Sequence, residues 1–300
     1  MRYGFIVTVS DVGHIVTLAQ AAEAAGWDGV FYFDGINVGP MPVFDPWVTL
    51  GALAIATERV TLGAIISPLS RRRPWKVARE TVTVDHLSNG RLVLPVGLGT
   101  LDDGGFSKVR GEPTDRRIRA ERLDESLEIL TGLWTGEPFA YGGKHFQFDE
   151  MTFLPAPVQR PRVPIWVVGA WPSEKSLRRA ARYDGLLPAV VGGTPDAPGL
   201  TPDTLRQMAA WLQTHRESDT PFDIVVEGRT PPDPAQATAT VAPWIDAGAT
   251  WWLEAMWEGP NTYADLLARV RSGPPERRED SGLSVSRPTR AYPPKSQSAA

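Results

Sequence analysis

The chain predicts an α/β fold: a single closed (β/α)8 TIM barrel with a β-hairpin inserted after its fourth long helix. Three observations carry this. Apolar, β-branched runs alternate with helical patterns eight times along the 300-residue chain. Each such alternation implies parallel strands, because a parallel crossover needs a helix. Eight units within residues 1–272 also suit a closed barrel better than the open doubly wound sheet, which is the structural alternative.

The first strand is expected at Tyr3–Thr8 and its helix at His14–Ala25, stopped by Gly26. Gly29–Phe33 and Pro46–Thr57 form the second unit, and Val60–Ile66 and Trp75–Leu87 the third. The fourth pairs Arg91–Val96 with a long amphipathic helix at Arg116–Trp134. The alternation then pauses. Phe139–Tyr141 and His145–Phe148, joined through Gly142-Gly143, read as a hairpin. It resumes with Pro164–Val168 and Glu174–Arg182, then Gly185–Ala189 and Pro202–His215. Asp223–Val226 with Ala235–Ala247, and Thr250–Glu254 with Tyr263–Arg271, complete the set. Residues 273–300 are rich in Pro, Ser and Arg and read as a flexible tail, since they cannot bury enough apolar surface to offset ordering.

Composition narrows the function. Apolar residues make up 42% and charged residues 22%, which are globular values. Thirty-one basic and 35 acidic side chains give −4, which argues against a nucleic-acid partner. With no cysteine, thiolate metal sites and a cysteine nucleophile are excluded. The four histidines (His14, His86, His145 and His215) show no metal-ligand spacing. No apolar run approaches membrane-spanning length, so a soluble cytoplasmic protein is expected, with a small molecule as its substrate. Serine-elbow, phosphate-binding lysine-loop and His-Glu-x-x-His motifs are absent, against hydrolase and kinase readings.

In a barrel the chemistry lies where strands end. Gly97-Leu98-Gly99 follows the fourth strand; it is an ordinary tight turn or a place where a flat ligand approaches the backbone. Gly169-Ala170-Trp171-Pro172-Ser173 leads into the fifth helix, whose free N–H groups and dipole suit a phosphate; a merely capped helix is the simpler alternative. Arg71-Arg72-Arg73 after the third strand suggests anion recognition or a solvated charge run. Asp34 and Glu254 end the second and eighth strands and are candidate catalytic carboxylates by location. Trp251, Trp252 and Trp257 surround Glu254 and suggest an apolar or aromatic substrate.

Several stretches recur together: Ala21–Val30, Asp45–Trp47, Ala56–Gly63, Asp85–Leu92 and Val96–Gly99, followed by Arg122–Glu125, Leu133–Gly136, Leu154–Gln159, Pro164–Val167 and Arg179–Gly185. In this order they resemble the luciferase-like monooxygenase family, the bacterial-luciferase superfamily of flavin- and deazaflavin-dependent oxidoreductases. The resemblance implies reduced flavin mononucleotide (FMN) acting with oxygen, or the deazaflavin coenzyme F420 acting in hydride transfer. It places Ile65, Ile66 and Ser67 under the tricyclic ring, with a non-prolyl cis bond there. It sets Gly97, Leu98 and Gly99 beside ring and ribityl chain, and Gly169, Ala170, Trp171 and Ser173 at the phosphate. It further implies a homodimer and a separate reductase supplying the reduced cofactor. Two positions depart from the family. Gly35 stands where many members have histidine, and Thr100 follows Gly99 where the sugar-phosphate dehydrogenases have an acid. No acid–base residue therefore transfers. A non-catalytic flavin-binding relative, and a lyase or isomerase acting on a phosphorylated compound, are the competing readings.

Overall fold

The computed structural model describes residues 1–8, 11–191, 199–258 and 262–277. Eight parallel barrel strands, or staves, form around one axis: β1 (Arg2–Val7), β2 (Gly29–Phe33), β3 (Thr61–Ile65) continued by β4 (Ser67–Pro68), β5 (Leu94–Gly97), β8 (Ile165–Trp171), β9 (Gly185–Val190), β10 (Asp223–Gly228) and β11 (Trp251–Glu254). β1 pairs with both β2 and β11. The ring closes where Leu62 bridges Leu92 and Ser67 pairs with Val96. The open-sheet alternative is thereby excluded. The fourth stave begins later than the expected Arg91 because only Leu92 makes a ladder contact before Leu94.

The long helices lie outside: α1 (Val12–Ala24), α2 (Pro46–Ala56), α3 (Pro74–Leu87), α5 (Arg116–Leu133), α6 (Glu174–Ala181), α7 (Pro202–His215), α8 (Pro234–Asp246) and α9 (Tyr263–Arg271). Their starts follow local chemistry. Asp11, Asp45, Asp115, Asp233 and the threonines Thr201 and Thr262 each accept a backbone N–H of the first turn. A short helix α4 (Gly104–Ser107), capped by Asp103, was not expected.

The hairpin of β6 (Pro138–Gly142) and β7 (Gln147–Thr152) forms its own two-stranded antiparallel sheet. Its second strand starts later than His145 because the Glu125 carboxylate on α5 takes the N–H groups of Lys144, His145 and Phe146. Of the expected tail, residues 278–300 lie outside the described residues; Arg277 pairs with Asp28 at 2.9 Å.

Strand parity divides the core in two. Ile6, Phe31, Trp166, Val225, Trp251 and Leu253 fill the barrel interior. Trp166 packs edge-to-face on Trp251 with centroids 5.4 Å apart. Rings this large fit only because facing positions lack side chains. A Cβ on Gly4 would lie 2.6 Å from Leu253, and one on Gly185 2.4 Å from Trp166. The second core fills the space between staves and helices and includes Tyr3, Val30, Val226 and Trp252. The Asp85–Leu92 stretch is scaffold at the closed end. Buried Asp85 accepts Val158 N–H, Gln159 N–H and the Gln159 side-chain amide. Arg91 donates to the carbonyls of Ala54, Thr57, Val60 and Ser88.

Candidate active site

A cavity of about 730 Å³ opens at the C-terminal ends of the staves. Ile65 and Ile66 line it, and the bond between them is cis, as the resemblance implies. Ser67 is fully buried beneath, its hydroxyl turned to the Ala64 carbonyl. Gly97, Leu98 and Gly99 line the adjacent wall. Gly99 has φ +74°, and a Cβ there would meet Phe106 at 2.6 Å and Pro68 at 2.7 Å, so this wall is open backbone that only glycine allows.

Of the four residues assigned to phosphate, Ala170 lines the cavity. Gly169 faces the other way, since its Cβ would strike Leu186 at 2.3 Å in the outer layer. Trp171 and Ser173 do not line the cavity, and Ser173 caps α6 without a side-chain hydrogen bond. Ser176, which sequence reasoning missed, does line it. Its hydroxyl accepts Ala170 N–H at 3.0 Å. The overlooked signal was a serine in the first turn of α6, where a side chain points back toward the strand end.

Asp34 lies in the cavity wall, but both its oxygens are taken. Arg71 donates to Oδ1 at 2.8 Å, and Arg72 donates to Oδ1 at 2.7 Å and to Oδ2 at 3.0 Å. Arg71 also pairs with Asp103, which accepts the N–H groups of Asn37 and Gly105. Burial alone would raise the Asp103 pKa; those N–H bonds and Arg71 outweigh it and hold the carboxyl below its ordinary value. Two guanidinium groups thus face two carboxylates. The arginine run is not a free anion site: Arg71 and Arg72 pair with acids of the chain itself, and Arg73 stands at the start of α3.

Glu254 is not at the mouth, which corrects its assignment as a mouth carboxylate. It shares parity with Trp252, so both point outward into the layer under α8 and α9. It is fully buried, accepts Thr230 N–H (2.9 Å), Thr230 Oγ1 (2.8 Å) and Trp252 Nε1 (3.2 Å), and pairs with Arg269. Of the three tryptophans near it, only Trp257 lines the cavity; Trp251 lies in the interior core and Trp252 in the outer one. The Glu254→Gln substitution is expected to cost about 1.5–3 kcal/mol of stability, because a charged hydrogen-bond set is weakened in a buried place. Cofactor affinity should not change. Urea unfolding and cofactor titration of the same variant check both; full stability with impaired turnover would return Glu254 to the reaction.

One buried cation stands apart. Arg119 is 7% exposed and lines the cavity, yet it forms no ion pair among the described residues. Its Nη1 donates to the carbonyls of Gly99 (2.9 Å) and Leu98 (3.3 Å), and its Nε is buried without a partner. Burial first, and Arg116 second, push its pKa down. A positive charge beside open backbone, with Ser176 and Ala170 lining the same cavity, fits a flat cofactor carrying a phosphate.

Residues 4–287 match the family model for luciferase-like monooxygenases. An F420-dependent glucose-6-phosphate dehydrogenase from Nakamurella multipartita is 30% identical over 242 residues, 72% of this chain and 69% of its own length. A monooxygenase from Streptomyces bottropensis superposes with TM-score 0.72 at 19% identity, covering 90% of this chain and 97% of its own. The F420-dependent tetrahydromethanopterin reductase of Methanopyrus kandleri does so with TM-score 0.70 at 14% identity, covering 91% and 98%. The two structures share the fold. This chain belongs to the luciferase-like monooxygenase family. It is accordingly an oxidoreductase of the flavin- or deazaflavin-dependent class. Among the described residues no helix is long and apolar enough to cross a membrane, and no cluster of metal-ligating side chains occurs.

Proposed function

We propose that the protein is an F420-dependent hydride-transfer oxidoreductase acting on a small organic substrate other than a sugar phosphate. One observation carries the choice of coenzyme. A second cavity, of about 500 Å³, is lined by Lys175, Arg178 and Arg182 and shares Arg179 with the first. Asp124 pairs with Arg179 and lies 3.6 Å from Arg182, and Glu174 is 3.3 Å from Arg178, yet the cavity still holds four cations against two acids. F420 continues beyond its phosphate into a chain of glutamate carboxylates, whereas FMN ends at the phosphate. A basic recess that shares the Arg179 wall with the first cavity suits the longer molecule. The F420-dependent relative supports the same reading. Gly35 and Thr100 speak against the sugar-phosphate substrate of that relative.

In this arrangement Ile65, Ile66 and Gly97–Gly99 face the ring, while Arg119, Ser176 and the Ala170 turn hold the phosphate. Phe33, Met41 and Trp257 close the other side against water. The bound coenzyme supplies the hydride acceptor or donor.

Fluorescence titration with F420 and with FMN, at low and high salt, tests the reading. F420 should bind more tightly, and its advantage should shrink as salt screens the exposed cations. Reversing both Lys175 and Arg178 to Glu should weaken F420 binding about 10-fold and leave FMN unaffected. Equal or tighter binding of FMN would sink the proposal in favour of flavin. Tight binding without turnover on any substrate would favour the non-catalytic flavin-binding relative.

A further inference from the structure

The short helix α4 is fastened to the loop after β2 through its first residues. Asp103 caps it, accepting Gly105 N–H at 2.8 Å, and pairs with Arg71. The same carboxylate accepts the N–H groups of Ile36 and Asn37. Gly104 N–H donates to the Asn37 carbonyl at 2.8 Å. The next two positions lack side chains, which is what lets the helix lie so close. A Cβ on Gly104 would come within 2.6 Å of Asn37 Oδ1, and one on Gly105 within 2.8 Å of Ile36 and 2.9 Å of Arg71.

What this clamp delivers to the cavity is the ring of Phe106. The ring is buried, lines the cavity and backs the open wall at Gly99. Two guanidinium groups stand over it, that of Arg71 at 5.4 Å from the centroid and that of Arg119 at 5.3 Å. Both distances lie within the range of cation–π attraction. The two cations differ in how their charge is answered. Arg71 is ion-paired with Asp34 and Asp103. Arg119 has no ion pair among the described residues, so the electron-rich face of Phe106 is set against an uncompensated charge. Arg119 Nη1 is tied to the carbonyls of Gly99 and Leu98, Nε is buried without a partner, and Nη2 donates to none of the described residues. Ring and carbonyls together fix the guanidinium plane and leave the Nη2 edge for a ligand. A planar guanidinium can stack on a ring and donate along its edge at once.

We propose that Phe106 is a positioning residue: its ring orients the Arg119 guanidinium toward the cofactor phosphate and so sets how strongly the site prefers a phosphorylated chromophore to the same chromophore without phosphate. This rests on the assignment of Arg119 to the phosphate and holds for F420 and FMN alike. The ring acts by preorganisation, since a guanidinium already held in place loses less freedom when the phosphate arrives.

The test measures that preference by fluorescence titration, with FMN against riboflavin and with F420 against its deazaflavin chromophore lacking phosphate and tail. Phe106→Leu should reduce the preference about 5- to 30-fold, almost wholly through weaker binding of the phosphorylated ligand. Replacing Phe106 by mono- and then trifluorinated phenylalanine keeps the shape and drains the ring face, so the preference should fall stepwise. In the Arg119→Met protein, Phe106→Leu should change the preference no further, because no guanidinium remains to be aimed. Urea unfolding of the two single variants and the double variant should show costs that do not add, as expected of two side chains in contact. Equal losses for both members of a pair, indifference to fluorination, or a full Phe106→Leu effect without Arg119 overturns the proposal and leaves the ring as support for the Gly99 wall. A wild type that prefers the phosphorylated member of neither pair fails the phosphate assignment itself and with it the role of the ring in affinity. The unfolding cycle then still decides whether ring and guanidinium act together: additive costs overturn that as well.

Discussion

Asp34→Ala should destabilise the protein by about 3–5 kcal/mol, the usual cost of leaving a buried charge without its partner. The side chain is fully buried, and its two oxygens answer the guanidinium groups of Arg71 and Arg72. Removing it leaves Asp103 on Arg71 and takes from Arg72 its ion-pair partner. The chain would then hold excess positive charge in the wall of its own cavity. Asp34→Asn keeps the shape and part of the hydrogen bonding, so its cost should be smaller. Urea unfolding provides the measurement, and the midpoint should fall while the slope stays constant. The same cluster sets an acid limit. Asp103 has a folded pKa below its unfolded 3.8, so its stabilisation is complete above that value and is lost as pH falls through the depressed one. Asp103→Asn should flatten that acid-side loss. An Asp34→Ala protein as stable as wild type, but inactive, would make Asp34 a group of the reaction and not of the scaffold.

Arg119→Met is the second. Methionine keeps an apolar stem but removes the charge, and with it the guanidinium over the Phe106 ring. A charged hydrogen bond to phosphate is worth about 1.5–3 kcal/mol, so affinity for a phosphorylated cofactor should fall roughly 10- to 150-fold. Affinity for the same chromophore lacking phosphate should hardly change, and that control separates loss of the phosphate contact from collapse of the Gly97–Gly99 wall, whose carbonyls Arg119 also binds. Stability should hold or rise, since the free protein sheds an uncompensated buried charge. Equal losses for both ligands would assign Arg119 to holding the wall.

How much of the site was legible depended on backbone against side chain. The Gly97–Gly99 wall and the Ala170 turn could be read because each is a backbone feature at a predictable strand end, and local residue types encode backbone geometry; the Ile65–Ile66 platform came from the family resemblance. Glu254 was misplaced although the sequence already paired its parity with Trp252. Alternation says which residues share a face, but not which face looks inward. Only the packed rings of Trp251 and Trp166 in the interior settle that question. The arginine run was ambiguous for a related reason. Its partners, Asp34 and Asp103, stand 37 and 32 residues away from Arg71, and no local pattern announces a pairing at that range.

From its own order of residues this chain determined an eight-stave barrel, the face on which its chemistry lies, and its family. The first two follow from periodicity, capping and turn chemistry, which act over a few residues, and the family from the resemblance of its ordered motifs. Tertiary structure alone decided which charges remain free. Neutralisation and burial are relations between segments far apart in sequence: they remove Arg71, Arg72, Asp34 and Glu254 from the list of available groups, and they leave Arg119, buried in the cavity wall, without an ion-pair partner among the described residues.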